Sequence, residues 1–161
     1  MELRVGIGVD GHAFGEGVPL VLGGVSIDYP QGLAGHSDGD VIAHALIDAL
    51  LGAANLGDIG SLFPSADEQY RGASSLDLLW EAYREVRDAG FELVNADCVL
   101  VGEEPRIGDI REEMGERLAG ALGVEAGRVT VRATTTDGLG FTGRGEGLVA
   151  HAVALLRRSE A

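Results

Sequence analysis

The chain has 161 residues, 45% hydrophobic and 24% charged, with a formal net charge of −14 at pH 7. That length suits one domain, 1–161, with a real core, and the acidity argues against nucleic acid as a partner because nothing would form a basic stripe. No apolar run reaches about 18 residues, so no membrane span is expected, and no basic segment leads into an apolar one, so no secretory leader is expected. The single Cys98 excludes an internal disulfide and fits a reducing, cytoplasmic setting. A small anionic ligand would need local cations, and in so acidic a chain bound metal ions are natural suppliers.

Arg4–Asp10 alternates Val5, Ile7 and Val9 against Gly6, Gly8 and Asp10, which predicts a strand. Asp10 and His12, two apart, point the same way from it. Pro19–Tyr29 carries two apolar runs around Gly23-Gly24 and reads as a hairpin. Residues 30–35 read as a loop. From Val41 the period becomes helical, predicting a helix over 39–56, with Ser37 and Asp40 marking its start and Gly57 its stop. Asp40, His44 and Asp48 are each four apart and share a face of that helix. The stripe reads as a solvated polar face or as chemistry; it has no Lys, Arg, Glu or Gln, which normally fill exposed faces.

Ser74 and Asp77 offer a capping box for a helix over 74–89, with Leu76, Leu79, Trp80, Tyr83 and Val86 as its core stripe. Phe91–Val101 reads as a strand with Cys98 in the core. Residues 102–108 read as a loop, and 109–122 as a helix with Ile110, Met114, Leu118 and Leu122 inward and Gly123 as its stop. Val129–Thr134 is a strand by alternation. A dense polar and glycine-rich stretch, 133–147, leads to Leu148–Arg157, whose alternation favours strand over helix, with His151 a surface or satisfied residue. Four longer strands, three helices and a hairpin make an α/β (α+β) sandwich, with helices on one face of a small sheet. The other face would be mildly apolar, which suggests burial in an oligomer.

Two constellations carry chemistry. Asp10, His12 and His44 form a carboxylate and two imidazoles, a three-ligand set for catalytic zinc with a fourth position open. Asp40 and Asp48 are then candidates to fix the imidazole tautomers. In Thr134-Thr135-Thr136-Asp137, hydroxyls and nearby glycine amides can hold phosphate oxygens, and Asp137 can bind a hard divalent cation. The alternative is a Thr-rich strand end. Arg144 and Glu146, between glycines, read as an exposed pair or as a site near a symmetry axis. No Walker A loop and no nucleophile elbow is present.

DGHAF at 10–14, AGHSDGDVIAHALIDALLGAANLGDIGSLFP at 34–64 and ATTTDGLGFTGRGEG at 133–147 closely resemble the 2-C-methyl-D-erythritol 2,4-cyclodiphosphate synthase family, in order and over nearly the whole chain. The resemblance implies a homotrimer of ferredoxin-like subunits that use zinc, with sites between neighbouring chains. It implies conversion of 4-diphosphocytidyl-2-C-methyl-D-erythritol 2-phosphate to the cyclic diphosphate and CMP, in the non-mevalonate route to isoprenoids. It assigns zinc to Asp10, His12 and His44, and implies Mg²⁺ or Mn²⁺ across the diphosphate, held by Asp137. The 2-phosphate falls to His36 and Ser37, with His36 stabilising the transition state. Ribose and methylerythritol contacts fall to Asp58, Ile59 and Gly60, with Phe63, Pro64, Ser65, Ala66 and Asp67 completing that pocket. The cytidine pocket falls to Gly102, Glu103, Glu104, Pro105, Arg106, Ile107 and Gly108 with Ala133, Thr134 and Thr135. Thr135 is the second stabilising residue, Thr136 lies beside it, and Phe141 and Arg144 are further contacts. Departures from the family pattern stand at Asp137, Ser65, Arg106, Glu103 and Glu104. The rival readings are a zinc phosphohydrolase using water, and a trimeric module that binds isoprenoid phosphates without turnover.

Overall fold

The structure, a computed structural model, describes residues 1–160. Its elements are β1 (Leu3–Glu16), β2 (Leu20–Leu22), β3 (Val25–Ile27), β4 (Gln31–Leu33), α1 (Val41–Ala53), α2 (Ile59–Leu62), α3 (Ser75–Asp88), β5 (Phe91–Val101), α4 (Arg111–Leu122), β6 (Val129–Thr134), α5 (Gly140–Gly143) and β7 (Gly147–Arg158). The main sheet runs β4-β1-β7-β5-β6, and β2 and β3 form a separate hairpin. Only β5 and β6 pair in parallel among the described residues; the other pairs are antiparallel. The expected α/β sandwich, with the helices on one face of a mixed sheet, is the observed one.

The seam between α1 and the sheet explains the composition of both. Gly6 and Gly8 of β1 lie opposite Ala154 and Ala152 of β7, and Asp10 and His12 follow opposite Ala150 and Leu148. These side chains share one face because strand residues alternate. Helix α1 lies down on that face. A Cβ at Gly6 would meet Ala53 N at 2.6 Å, and one at Gly8 would meet Ala49 N at 2.8 Å. Glycine in a strand interior costs entropy, and here it admits a helix backbone. Ala45, Ala49 and Ala53, one turn apart on α1, are the matching small residues and are buried.

The hairpin turn at Gly23-Gly24 has positive φ at both residues, 57° and 76°, as a tight two-residue turn requires. Both of its amides donate to the carboxylate of Asp40, at 2.9 and 2.7 Å. Asp40 also caps α1 through Ala43 N at 3.1 Å. So the helix cap is Asp40 and not Ser37, and one carboxylate pins the hairpin to the helix start. Burial pushes its carboxyl up to about 6, against the three amides that favour the charged form.

Other local expectations change. Residues 30–35 contain β4, which pairs with the far half of β1, so β1 runs on to Glu16. Ser74 precedes α3 without a side-chain cap bond, because no bond closes the expected box with Asp77. Trp80 is 52% exposed rather than core, and Arg84 stacks on its ring at 5.0 Å. Tyr83 is the buried aromatic, and its hydroxyl accepts from Leu93 N at 2.9 Å. Helix α5 lies unforeseen within the glycine-rich stretch. Cys98 is fully buried, which pushes its thiol up to about 12. The helix-free sheet face carries Leu3, Val5, Ile7 and Val9, each more than half exposed. Among the described residues no helix is long and apolar enough to cross a membrane.

The seam is directly testable by thermal unfolding. Gly8→Ala is expected to destabilise the protein by about 3 kcal/mol or more, because a backbone must move. Gly120→Ala, in the α4 interior with nothing within 4 Å of its added methyl, is expected to stabilise by roughly 0.5–1 kcal/mol. A tolerated Gly8→Ala would refute the packing argument.

Candidate metal centre and adjoining cavity

Asp10 and His12 leave β1 on its helix-facing side, and His44 stands one residue before Ala45 of the seam. The packing that seats α1 on Gly8 therefore sets the three donors together. His12 Nε2 lies 2.8 Å and His44 Nδ1 3.1 Å from Asp10 Oδ2. The two ring nitrogens are 3.3 Å apart. Zinc bonds of about 2.0–2.1 Å in a tetrahedron give ligand-to-ligand edges of about 3.3 Å, so the triangle has the dimensions of one face of such a site.

The outer bonds fix both tautomers. His12 Nδ1 lies 2.8 Å from the carbonyl oxygen of Ala34, which can only accept. Its Nε2 is therefore the lone pair of the neutral ring. His44 Nε2 lies 2.8 Å from Ser75 Oγ and 2.9 Å from Ser37 Oγ. The one hydroxyl proton of Ser75 is committed to Asp38, which also accepts Ser75 N at 3.0 Å. Ser75 must then accept from His44, which leaves Nδ1 as the lone pair. Three acceptors thus converge on one point, and only a proton or a cation can hold them there. Burial pushes the Asp10 carboxyl up, but the two imidazoles outweigh it and hold it below the ordinary carboxylate range. The hydrogen bond to Asp10 raises His12 above an ordinary histidine, against burial. Asp10, His12 and His44 are a group that can hold a divalent metal.

The expectation that Asp40 and Asp48 fix the imidazoles is corrected. Asp40 serves the hairpin and the helix cap, and Asp48 accepts Ile59 N at 2.7 Å. Burial raises the Asp48 carboxyl, against that amide. The residues that orient His44 are Ser37, Ser75 and, through Ser75, Asp38. Ser75 sits at the start of α3, 31 positions from His44, and no local pattern announces it.

A cavity of about 440 Å³ opens beside the three donors. Of the residues expected there, His36, Ser37, Ile59, Gly60, Phe63, Pro64, Ser65 and Ala66 line it. Tyr70 and Leu78 also line it and were not foreseen. Tyr70 packs edge-on against Phe63 at 5.2 Å between ring centres. Asp58 caps the short α2 through Ser61 N at 2.8 Å. The carbonyl of Asp67 holds His36 Nε2 at 3.1 Å, so the loop after α2 steadies that ring. The second constellation lies apart in the same chain: Gly102–Gly108, Ala133–Asp137 and Arg144 do not line this cavity. Phe141 lines a separate cavity of about 340 Å³ with Gly11, His12 and Ala13. Arg144 pairs with Glu146, both exposed.

A model of the YgbB family matches residues 3–157. The 2-C-methyl-D-erythritol 2,4-cyclodiphosphate synthase of Moorella thermoacetica is 56% identical over 159 residues, 99% of this chain and 98% of that one. The solved bifunctional IspDF of Campylobacter jejuni superposes with a TM-score of 0.95 at 45% identity, over 99% of this chain and 43% of that one. A CDP-bound 2C-methyl-D-erythritol-2,4-cyclodiphosphate synthase gives 0.87 at 40% identity, over 96% and 100%.

Metal retention tests the geometry. Ser75→Ala is expected to weaken metal binding about 10- to 100-fold, as loss of an imidazole's outer partner does, while the fold persists. His12 takes a proton more readily than an ordinary histidine, and a ligand must be deprotonated to bind, so metal affinity should fall as the pH is lowered. Metal content indifferent to both would refute the donor assignment. Fold, donor set and near full-length likeness agree, and the chain belongs to the YgbB family.

Proposed function

We propose that the protein is a phosphorus–oxygen lyase that cyclises 4-diphosphocytidyl-2-C-methyl-D-erythritol 2-phosphate, releasing CMP and 2-C-methyl-D-erythritol 2,4-cyclodiphosphate for isoprenoid synthesis in the cytoplasm. An oxygen of the 2-phosphate bonds to the β-phosphorus. The bond from that phosphorus to the oxygen bridging to CMP breaks, and CMP leaves with the electron pair. The observation that carries the reading is the convergence of three metal-ligating side chains, Asp10, His12 and His44, on the wall of the 440 Å³ cavity, in a chain of this family.

In this reading Asp10, His12 and His44 hold zinc, and Asp137 binds Mg²⁺ or Mn²⁺; bound there, the cations neutralise phosphate charge and align attacker with leaving group. His36 and Ser37 receive the 2-phosphate, His36 with its ring held by Asp67. Asp58, Ile59 and Gly60 take the sugars, and Phe63, Pro64, Ser65, Ala66 and Asp67 close that side. Gly102, Glu103, Glu104, Pro105, Arg106, Ile107 and Gly108, with Ala133, Thr134 and Thr136, receive the nucleotide from a neighbouring chain. Thr135 steadies the transferring phosphate, and Phe141 and Arg144 complete the contacts. The work is positioning and electrostatics, and no side chain acts as nucleophile.

A site shared between chains requires an oligomer, and the exposed Leu3, Val5, Ile7 and Val9 face supplies the apolar surface of a homotrimer.

Incubating the cytidylated substrate with protein, Zn²⁺ and Mg²⁺ should yield CMP and the cyclic diphosphate one for one; His36→Ala should lower turnover about 100-fold with metal retained. A linear hydrolysis product would sink the cyclase reading in favour of a phosphohydrolase, and binding without CMP release would favour the binding module. Sedimentation should give three times the 16.7 kDa chain mass, and Ile7→Asp should shift it toward one. A monomeric active enzyme would contradict the shared site.

A further inference from the structure

The loops that follow β5 and β6 leave the carboxyl ends of the sheet's parallel pair, where Val101 lies opposite Thr134. Open α/β sheets receive ligands at such ends. Two bonds tie the loops together. Gly102 N donates to Thr134 O at 3.1 Å, between backbones. Gly138 N donates to Glu103 Oε1 at 3.0 Å, and this is the side-chain tie.

The turn that Glu103 reaches has bonds of its own and one to the buried Thr142 of α5, whose Oγ1 lies 3.1 Å from Thr136 Oγ1. Asp137 N donates to Thr135 Oγ1 at 3.2 Å, and Thr136 Oγ1 donates to Leu139 O at 2.6 Å. Asp137 and Gly138 both have positive φ, 53° and 81°. A non-glycine residue in that region is strained and needs support from its surroundings. Glu103 supplies it from the neighbouring loop. It does so at a cost: its other oxygen, Oε2, is buried and has no hydrogen-bond partner among the described residues. A glutamate in a loop normally reaches water, and this one turns inward to a single amide.

We infer that Glu103 is a positioning residue of the nucleotide subsite, a strut that sets the Thr135–Gly138 turn at the spacing from the Gly102–Gly108 loop that a cytidine diphosphate needs. The role rests on the function proposed above. It acts through Gly138 and the Thr135 it follows, so Glu103 itself need not touch the ligand. The carboxylate oxygen of Glu103 does there what any acceptor of the same length does.

CDP titration of the full-length, metal-loaded protein tests this, with amide exchange over 135–140 as a readout independent of turnover. Glu103→Ala should weaken CDP binding about tenfold or more, the equivalent of a lost hydrogen bond, whereas Glu103→Gln should stay within about threefold of wild type. Exchange over 135–140 should quicken in Glu103→Ala and not in Glu103→Gln. Glu103→Asp, one methylene short, is the second variant and should lose affinity as the alanine does. Bound metal should be the same in all. CDP affinity unchanged in Glu103→Ala overturns the inference, even if exchange quickens. So does Glu103→Gln as weak as Glu103→Ala, which would make the charge and not the reach the cause. Wild-type protein that binds no CDP overturns the nucleotide reading itself, and this role with it.

Discussion

The close approach of α1 to β1 is the constraint on which the rest depends. A helix normally stands off a sheet by the thickness of its side chains. Here Gly6 and Gly8 remove those side chains on the strand, and Ala45, Ala49 and Ala53 keep them small on the helix. The same alternation that puts Gly6 and Gly8 under the helix puts Asp10 and His12 on that face two and four residues later. Packing thus delivers three donors to within 3.3 Å of one another, without any bond between them being needed to close the fold.

What surrounds the donors is a set of carboxylates with separate work. Asp40 gathers three backbone amides and joins hairpin to helix. Asp38 holds Ser75 by amide and hydroxyl, and Ser75 in turn receives the His44 proton. Asp48 holds the Ile59 amide, at the start of the short helix beside the cavity. In a chain of net charge −14, these acids are fixed by hydrogen-bond donors of the backbone and of serine rather than by cations. Several arginines pair with acids elsewhere, as in the paired bonds of Arg132 to Asp97 at 3.1 and 2.8 Å.

The long strands, the three main helices, the hairpin and the donor triad were legible because each rests on a local period or a short spacing. Gly6, Gly8, Asp10 and His12 announce one face of one strand. Other features were illegible for physical reasons. Ser75 reaches His44 from 31 positions away, so no window of sequence contains the bond. The Asp40–His44–Asp48 stripe suggested a single cluster, yet its two acids point into different tertiary contacts. Trp80 fell on a helical core stripe and is on the surface, 52% exposed, with Arg84 over its ring. The short β4 exists only because β1 continues past Asp10 to meet it. The division of the site into a donor half and a nucleotide half was read from the family resemblance, and one chain by itself keeps those halves apart.

The packing of α1 on β1 brings Asp10, His12 and His44 together as a group that can hold a metal. X-ray absorption at the metal edge of the zinc-loaded protein would show whether these three side chains bind the ion. The expected result is one metal per chain with two imidazole nitrogens and a carboxylate oxygen at about 2.0–2.2 Å. A spectrum without imidazole scattering, or one with a sulfur neighbour from Cys98, would contradict it.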